Sequence, residues 1–331
     1  MEAKLDFVAV GDITTDAFIR LVKDEAHIVE TNGKQEICMS FGDKIPYEKV
    51  DIVRAVGNSP NAAVSSARLG LKSAVVTTVG DDENGRECIT ALTESGVDPR
   101  FVTIQNNIET NYHYVLCYGV ERTILVKHHA YEYRLPDIGE PAYMYLSSLA
   151  ENSLPYHLEI ATYLETHPNV RLAFQPGTFQ MKLGYENLKR IYQRSELFFC
   201  NKEEAARILN KAEESIPELL VGVRNLGPKI AIITDGPKGA YTFDGKEIWH
   251  MPMYPDPAPP QNRTGAGDAF ASTFTSALIL GKSIPEALAW GPINSMSVVQ
   301  YVGAQRGLLA RETLEAFLKN APSEYVGKQL Q

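Results

Sequence analysis

Short apolar runs bounded by turn residues recur along this chain, and over its second half they alternate with helix-length stretches. Phe7-Val8-Ala9-Val10 has the pattern of a short buried strand ending at Gly11-Asp12. Phe18 to Val22 and His27 to Glu30 are strand-like, and Asn32-Gly33 leads into a further strand-like run, Gln35 to Phe41. Residues 27–41 are therefore a predicted hairpin. A hairpin between the first strand and the first helix does not belong in a simple doubly wound sheet, so it reads as an inserted lid.

Pro60 to Leu69 is a predicted helix closed by Gly70. Ser73 to Val79 is a strand ending at Gly80-Asp81-Asp82, and Glu83 to Ser95 is a helix stopped by Gly96. Phe101 to Ile104, Asn111 to Tyr118 and Thr123 to Lys127 read as meandering strands, part of them assigned to the same lid. From Ala142 the alternation is steady. Strands at 142–146, 170–174, 196–200 and 229–234 are separated by helices near 154–165, 185–193 and 202–220. Such spacing predicts an α/β fold, a mostly parallel sheet with helices on both faces. Asp244-Gly245 marks a late hairpin, and helices near 266–280, 285–301 and 311–319 follow. With no repeat, low-complexity tract or linker, residues 1–331 read as one domain, its β lid inserted from about 14–54 and 108–128.

Composition narrows the function. The hydrophobic content of 44% is ample for a core, and 41 acidic against 32 basic residues give a net charge of −9, which argues against nucleic-acid and anionic-membrane partners. Cys38, Cys88, Cys117 and Cys200 form no C-x-x-C pair and read as reduced thiols. Met1 to Phe7 lacks an apolar signal core, and no run reaches membrane-spanning length, so the expected location is cytoplasmic.

The richest chemistry lies at Asn262-Arg263-Thr264-Gly265-Ala266-Gly267-Asp268-Ala269-Phe270. The segment Pro255-Asp256-Pro257-Ala258-Pro259-Pro260 before it cannot be regular structure, and Ala269 to Leu280 after it is a largely apolar helix-forming run. The stretch is thus a loop opening a buried helix, where unpaired N–H groups and the helix dipole favour an anion. Gly265 and Gly267 let the backbone approach that anion. Asp268 would repel a phosphate unless it had a task, such as accepting the proton of an attacking hydroxyl; its bland alternative is a helix-capping Asp.

Thr264 to Phe270 resembles the C-terminal signature of the ribokinase-like (PfkB) family of sugar and nucleoside kinases. The resemblance implies a ribokinase-like fold, Asp268 as catalytic base, and an anion hole from Gly265, Ala266 and Gly267. It also places substrate contacts at Asp16 and Asp12, after the first strand. The N-terminal signature is kept at Gly57 and Asn61, with Asn58 between them, although Val56 replaces its first glycine. An Asn side chain can donate to one hydroxyl and accept from another, which suits a vicinal diol.

Asn201-Lys202-Glu203-Glu204 resembles the family's Asn-x-x-Glu motif, implying Glu204 on the water shell of Mg²⁺ and Asn201 near the nucleotide; the same spacing also satisfies a capping box. Thr234, Gly236 and Gly239 match a nucleotide-binding segment with Thr264, and Asn294 lies on a helix expected to border adenine. Gly303-Ala304-Gln305 resembles a segment lining a monovalent-cation loop, but K⁺-binding ribokinases usually carry Asp where this chain has Asn262, which counts against K⁺. Gly80-Asp81-Asp82-x-x-Gly85 reads as structural, and His128-His129 as polar surface.

A P-loop is absent, because Ser276 stands where it needs Gly, and a dinucleotide fingerprint fails at Phe270. The leading expectation is therefore an ATP- and Mg²⁺-dependent kinase of a sugar hydroxymethyl group. A nucleoside kinase is the runner-up, since the Tyr-rich stretch from Tyr112 to Tyr145 could stack a base. A catalytically silent ligand-binding regulator ranks third. Pairing of two lids in a homodimer is a common family arrangement.

Overall fold

The computed structural model describes residues 4–330 apart from Asn32, Val120, Ala212 and Glu213, so the Asn32 half of the expected hairpin turn lies outside the described residues, as do Met1 to Ala3 of the amino terminus. The strands are β1 (Phe7–Val10), β2 (Thr14–Leu21), β3 (Ala26–Thr31), β4 (Lys34–Met39), β5 (Tyr47–Val56), β6 (Ser73–Gly80), β7 (Val102–Gln105), β8 (Tyr112–Tyr118), β9 (Glu121–Leu125), β10 (Tyr143–Leu146), β11 (Arg171–Phe174), β12 (Ser195–Asn201), β13 (Ile230–Thr234), β14 (Ala240–Phe243), β15 (Ile248–Met251) and β16 (Lys328–Leu330). The helices are α1 (Asn58–Arg68), α2 (Glu83–Glu94), α3 (Leu154–Thr166), α4 (Thr178–Arg194), α5 (Lys202–Ile208), α6 (Ile216–Asn225), α7 (Ala266–Ile279), α8 (Ile284–Val298) and α9 (Arg311–Lys319).

The large sheet runs β16-β15-β14-β13-β12-β11-β10-β1-β6-β7. It is parallel from β7 to β13, and β14 to β16 finish it antiparallel. Every residue of β1, β6 and β10 is buried, as expected for strands covered on both faces. Alternation then divides the core in two. Phe7 and Ala9 pack with α1, α7 and α8 on one face, while Val8 and Val10 pack with α3, α4 and α6 on the other.

The lid is a separate sheet of order β5-β2-β8-β9, antiparallel at its outer pairs and parallel between β2 and β8. Three details differ from the sequence expectation. Among the described residues the hairpin β3-β4 pairs only with itself and does not join the lid sheet. The lid's edge is instead β5, hidden in the sequence because Glu48, Lys49, Asp51 and Arg54 interrupt its apolar positions. Outside the expected lid, the strand near 101–104 pairs with β6 in the main sheet. α4 also starts seven residues before the expected 185, its first turns being separated from the rest by Gly184 at φ 77°.

Candidate active site

The carboxyl ends of the parallel strands, together with the lid and the start of α7, surround a cleft of about 720 Å³. It sits where ligands bind in open α/β sheets, at the point where β1 lies between β6 and β10. The chain reaches it from β1 through Gly11 to Ile13, from β11 at Gln175, from β12 at Asn201 and from β13 at Thr234.

Asp268 stands in the first turn of α7 and is only 7% exposed. Its Oδ1 accepts from Asn58 Nδ2 at 2.6 Å and from Gln175 Nε2 at 3.2 Å, and its Oδ2 from Asn61 Nδ2 at 2.9 Å. The donors are themselves held. Asn61 Oδ1 accepts from Gln305 Nε2 at 3.0 Å, and Gln175 Oε1 accepts from the Tyr145 hydroxyl. Burial pushes the Asp268 carboxyl above the ordinary carboxylate range, and the amides of Asn61, Asn58 and Gln175 pull it partly back. A carboxylate biased toward protonation yet kept ionisable by three amide donors has the character of a general base.

Gly265 caps the start of α7, and glycine is required there because φ is a left-handed 82° and a Cβ would lie 2.4 Å from Ala304 Cβ. At Gly267 a Cβ would meet Gln175 Nε2 at 3.7 Å, an ordinary contact. The Thr264 hydroxyl is buried without a partner, beside N–H groups that no helical carbonyl satisfies. These features form a cradle for an anion. Asn262 braces the loop, its side-chain oxygen accepting from the Thr264 N–H at 2.6 Å.

On the lid side, Asp16 lines the cleft with its Oδ1 3.2 Å from His113 Nδ1. Asp12 is 8% exposed. Its Oδ1 accepts from the Tyr133 hydroxyl at 2.8 Å and its Oδ2 lies 3.5 Å from His128 Nδ1. Asp12 Oδ2 and Asp16 Oδ1 are buried with no hydrogen bond made, so both are suited to hydroxyl donors. Gly57, at φ 125°, caps α1 and passes so near Asp12 that a Cβ would lie 2.6 Å from the Asp12 carbonyl oxygen.

The opposite end of the cleft opens into a largely apolar recess of about 330 Å³, with Thr234, Gly236 and Gly267 lining both. Met253, Phe270, Pro292, Met296 and Val299 give it apolar walls of the kind that take a flat base, and Gly239 lies on its rim. Asn294 does not reach this recess. It is fully buried, donating to Thr273 Oγ1 at 2.7 Å and accepting from the Leu309 N–H at 2.9 Å. α8 contributes Pro292, Ser295, Met296 and Val299 to the wall of this recess, and Asn294, expected from the sequence to border adenine, is not among its lining residues.

Asn201 and Glu204 do form a capping box, each N–H bonding the other's side chain at 2.8 Å, and both also line the cleft. Burial raises the Glu204 carboxyl, the Asn201 N–H opposing it. Glu204 Oε2 accepts that bond, which leaves Oε1 for a hydrated cation. No group of three or more His, Cys, Asp and Glu that could hold a metal occurs among the described residues, so a bare protein-only metal cage is not what the donor set fits. Asp82 caps α2 by accepting from Gly85 N at 2.9 Å, a structural role.

The sequence reading overlooked Gln175, His113, Tyr133 and Arg122, and took His128 for surface. His128 is half-buried against Asp12 because the segment after β9 folds inward to that carboxylate. His113 and Arg122 sit at inward positions of alternating lid strands, a signal available once the lid's facing is known. No tyrosine between 112 and 145 is among the residues lining the cleft. No helix among the described residues is long and apolar enough to cross a membrane.

Comparison with known proteins agrees with this geometry. The model of the pfkB family carbohydrate kinases matches residues 27–311. The chain is 27% identical over 301 residues to the ATP-dependent 6-phosphofructokinase of Thermoanaerobacterium thermosaccharolyticum, covering 85% of this chain and 90% of that one. It is 28% identical over 277 residues to the ribokinase of Bacillus subtilis, covering 79% and 87%. Among solved structures, Arabidopsis thaliana ribokinase complexed with ribose and ATP superposes with a TM-score of 0.79 at 20% identity, over 96% of this chain and 99% of that one.

Proposed function

Because the chain belongs to the pfkB family of carbohydrate kinases, we propose that it transfers the γ-phosphoryl group of ATP to a hydroxymethyl group of a sugar. The observation that carries this reading is the buried Asp268, held by three amides beside the anion cradle of Gly265, Ala266 and Gly267. Asp268 takes the proton of the sugar hydroxyl. The hydroxyl oxygen bonds to the γ-phosphorus, the bond from that phosphorus to the bridging oxygen breaks, and ADP leaves. The N–H groups at the start of α7 stabilise the charge on the transferring group. Asp16 and Asp12 accept hydrogen bonds from sugar hydroxyls, and Asn61 and Asn58 border the hydroxyl to be phosphorylated while fixing Asp268.

Thr234, Gly236 and Gly239 flank the nucleotide, with its base in the apolar recess. Mg²⁺ supplies charge neutralisation on the phosphates when bound, and Glu204 with Asn201 would hold its water shell. Asn262 is committed to bracing Thr264, which supports a kinase that does not depend on K⁺. Closure of the lid over the sugar keeps water from the reaction. The four free cysteines suit a cytoplasmic enzyme.

The lid's outer face is apolar. Val50, Ile52, Tyr114 and Leu125 are 42%, 46%, 49% and 51% exposed and lie on one side by register, with Ile19 and Leu116 between them. We propose that two copies pair through this face; light scattering that finds only monomer at micromolar concentration rejects it.

The catalytic reading is tested by ADP release with Mg-ATP across pentoses, hexoses, sugar acids, sugar phosphates and nucleosides. Turnover on a sugar that falls by about 10²- to 10⁴-fold in Asp268→Ala supports it. Turnover on nucleosides alone replaces it with a nucleoside kinase, and ligand binding with no ADP release under any condition replaces it with a regulator.

A further inference from the structure

The inner face of the lid carries alternate residues of its strands, and their register sets them in three rows. Asp16 pairs with His113, Phe18 with Val115 and Ile124, and Arg20 with Cys117 and Arg122. Asp16, His113 and Arg122 line the same cleft as Asp268, while Arg20 lines a recess adjoining the lid with Cys117 and Asn262. The two ends of this face want opposite things from a ligand.

At one end the buried, unbonded oxygens of Asp16 and Asp12 need hydrogen donors. At the other end Arg122 Nε and Arg20 Nε are buried with no hydrogen-bond partner among the described residues, so two guanidinium donors need acceptors. Among the described residues no carboxylate lies at ion-pairing distance from either guanidinium, and the neighbouring Asp51 is engaged by Lys49 at 2.7 Å. Two unpaired arginines on an inward face are unexpected in a chain with net charge −9. Neutral hydroxyls could fill the donor positions, but they would leave the partly buried charge uncompensated. A planar guanidinium matches the two oxygens of a carboxylate or phosphate.

We propose that the sugar bound here carries an anionic group, a phosphoester or a carboxylate, held by Arg122 with Arg20 at the end remote from the hydroxyl presented to Asp268. The inference rests on the kinase reading for the identity of that hydroxyl, but the anion site stands on the lid alone. Successive rows of a strand face are about 7 Å apart, which puts the arginine row about 13 Å from the Asp16 row at the backbone. An extended six-carbon sugar with a terminal anion, met by the reach of an arginine, spans that interval. A free pentose does not.

The test measures binding by calorimetry and turnover by ADP release on the full chain, with fructose 6-phosphate, a keto-deoxy aldonic acid and fructose, in the wild type, Arg122→Gln and Arg122→Lys. The expected result is a preference for one of the two anions over fructose, which of them wins identifying phosphoester or carboxylate. Arg122→Gln should collapse that preference by about 30- to 100-fold, the loss of one set of charge-assisted bonds, mainly through KM. Arg122→Lys should restore part of it, since it keeps the charge and loses the fork. Fructose bound and turned over at least as well as either anion, with a ratio indifferent to Arg122→Gln, overturns the inference and leaves the kinase reading intact. Failure of both anions to bind also overturns it. Anion-selective binding lost in Arg122→Gln, with no ADP release from any ligand, sinks the kinase reading and leaves the anion site standing.

Discussion

Asn58→Ala isolates one wall of the cage around the base. Asn58 Nδ2 donates to Asp268 Oδ1 at 2.6 Å and makes no other side-chain hydrogen bond among the described residues, so its removal disturbs little else. A hydrogen bond to a charged group contributes about 1.5–3 kcal/mol, and each pKa unit corresponds to about 1.4 kcal/mol, so the Asp268 pKa should rise by a further 1–2 units or so. The bond favours the ionised form, and its loss therefore moves the pKa in the same direction as burial already does. In a pH profile of kcat/KM followed by ADP release, the acid limb should shift upward by about 1–2 pH units, with the alkaline plateau largely retained.

Stability carries the same signature. A carboxyl whose pKa is raised on folding contributes stability that is complete below its unfolded value of about 3.9 and lost as pH rises through the folded value. Asn58→Ala extends that loss to higher pH, so wild type and variant should converge in urea unfolding at about pH 4 and separate, by up to roughly 1.5–3 kcal/mol, as pH rises through the folded value. A uniformly lowered kcat with an unmoved acid limb would refute the assignment of Asn58 as a bond to the base.

Three further outcomes are expected. Glu204→Gln retains the capping box, since Gln at that position still accepts from Asn201, and should unfold within about 0.5 kcal/mol of wild type while needing roughly tenfold more Mg²⁺ for half-maximal activity; an unchanged Mg²⁺ titration counts against Glu204. Asn294→Ala strands the buried Leu309 N–H and the Thr273 hydroxyl and should cost about 2–4 kcal/mol in urea unfolding, with the KM for ATP unmoved; a weakened KM at full stability would return Asn294 to the nucleotide site. Gly265→Ala must fit a Cβ 2.4 Å from Ala304 Cβ at φ 82°, so Tm should fall by an amount reflecting about 1–3 kcal/mol and kcat should fall with it; wild-type values for both would remove the case for the Gly265 turn.

The strand-helix alternation after residue 142 was legible because fully buried parallel strands are continuous apolar runs, and the start of α7 was legible because glycines follow a proline-rich segment. What escaped was what depends on facing and on distance. β5 is charged along much of its length, since one side of the lid faces the cleft and the other is exposed, and no clean alternation survives. Asn294 had a readable helix but no readable orientation, which only packing against α1 and α7 fixes. Gln175 has no local signature at all. It is one polar residue after a strand, and its meaning comes from a partner 93 positions away.

The cage about Asp268 joins residues separated by 210, 207 and 93 positions in sequence. These are among the most non-local contacts the chain makes, and loop closure places such contacts late in folding. During synthesis, Asn58, Asn61 and Gln175 have left the ribosome long before Asp268 does. A nascent chain that ends before Asp268 therefore cannot assemble this cage, and if Asp268 is the base as proposed, such a chain is unable to spend ATP. In refolding experiments, recovery of activity should follow the slowest step of tertiary assembly and lag behind the return of helix and strand signals. Catalysis here is a report on the completed topology, issued only when the first, middle and last thirds of the chain have met.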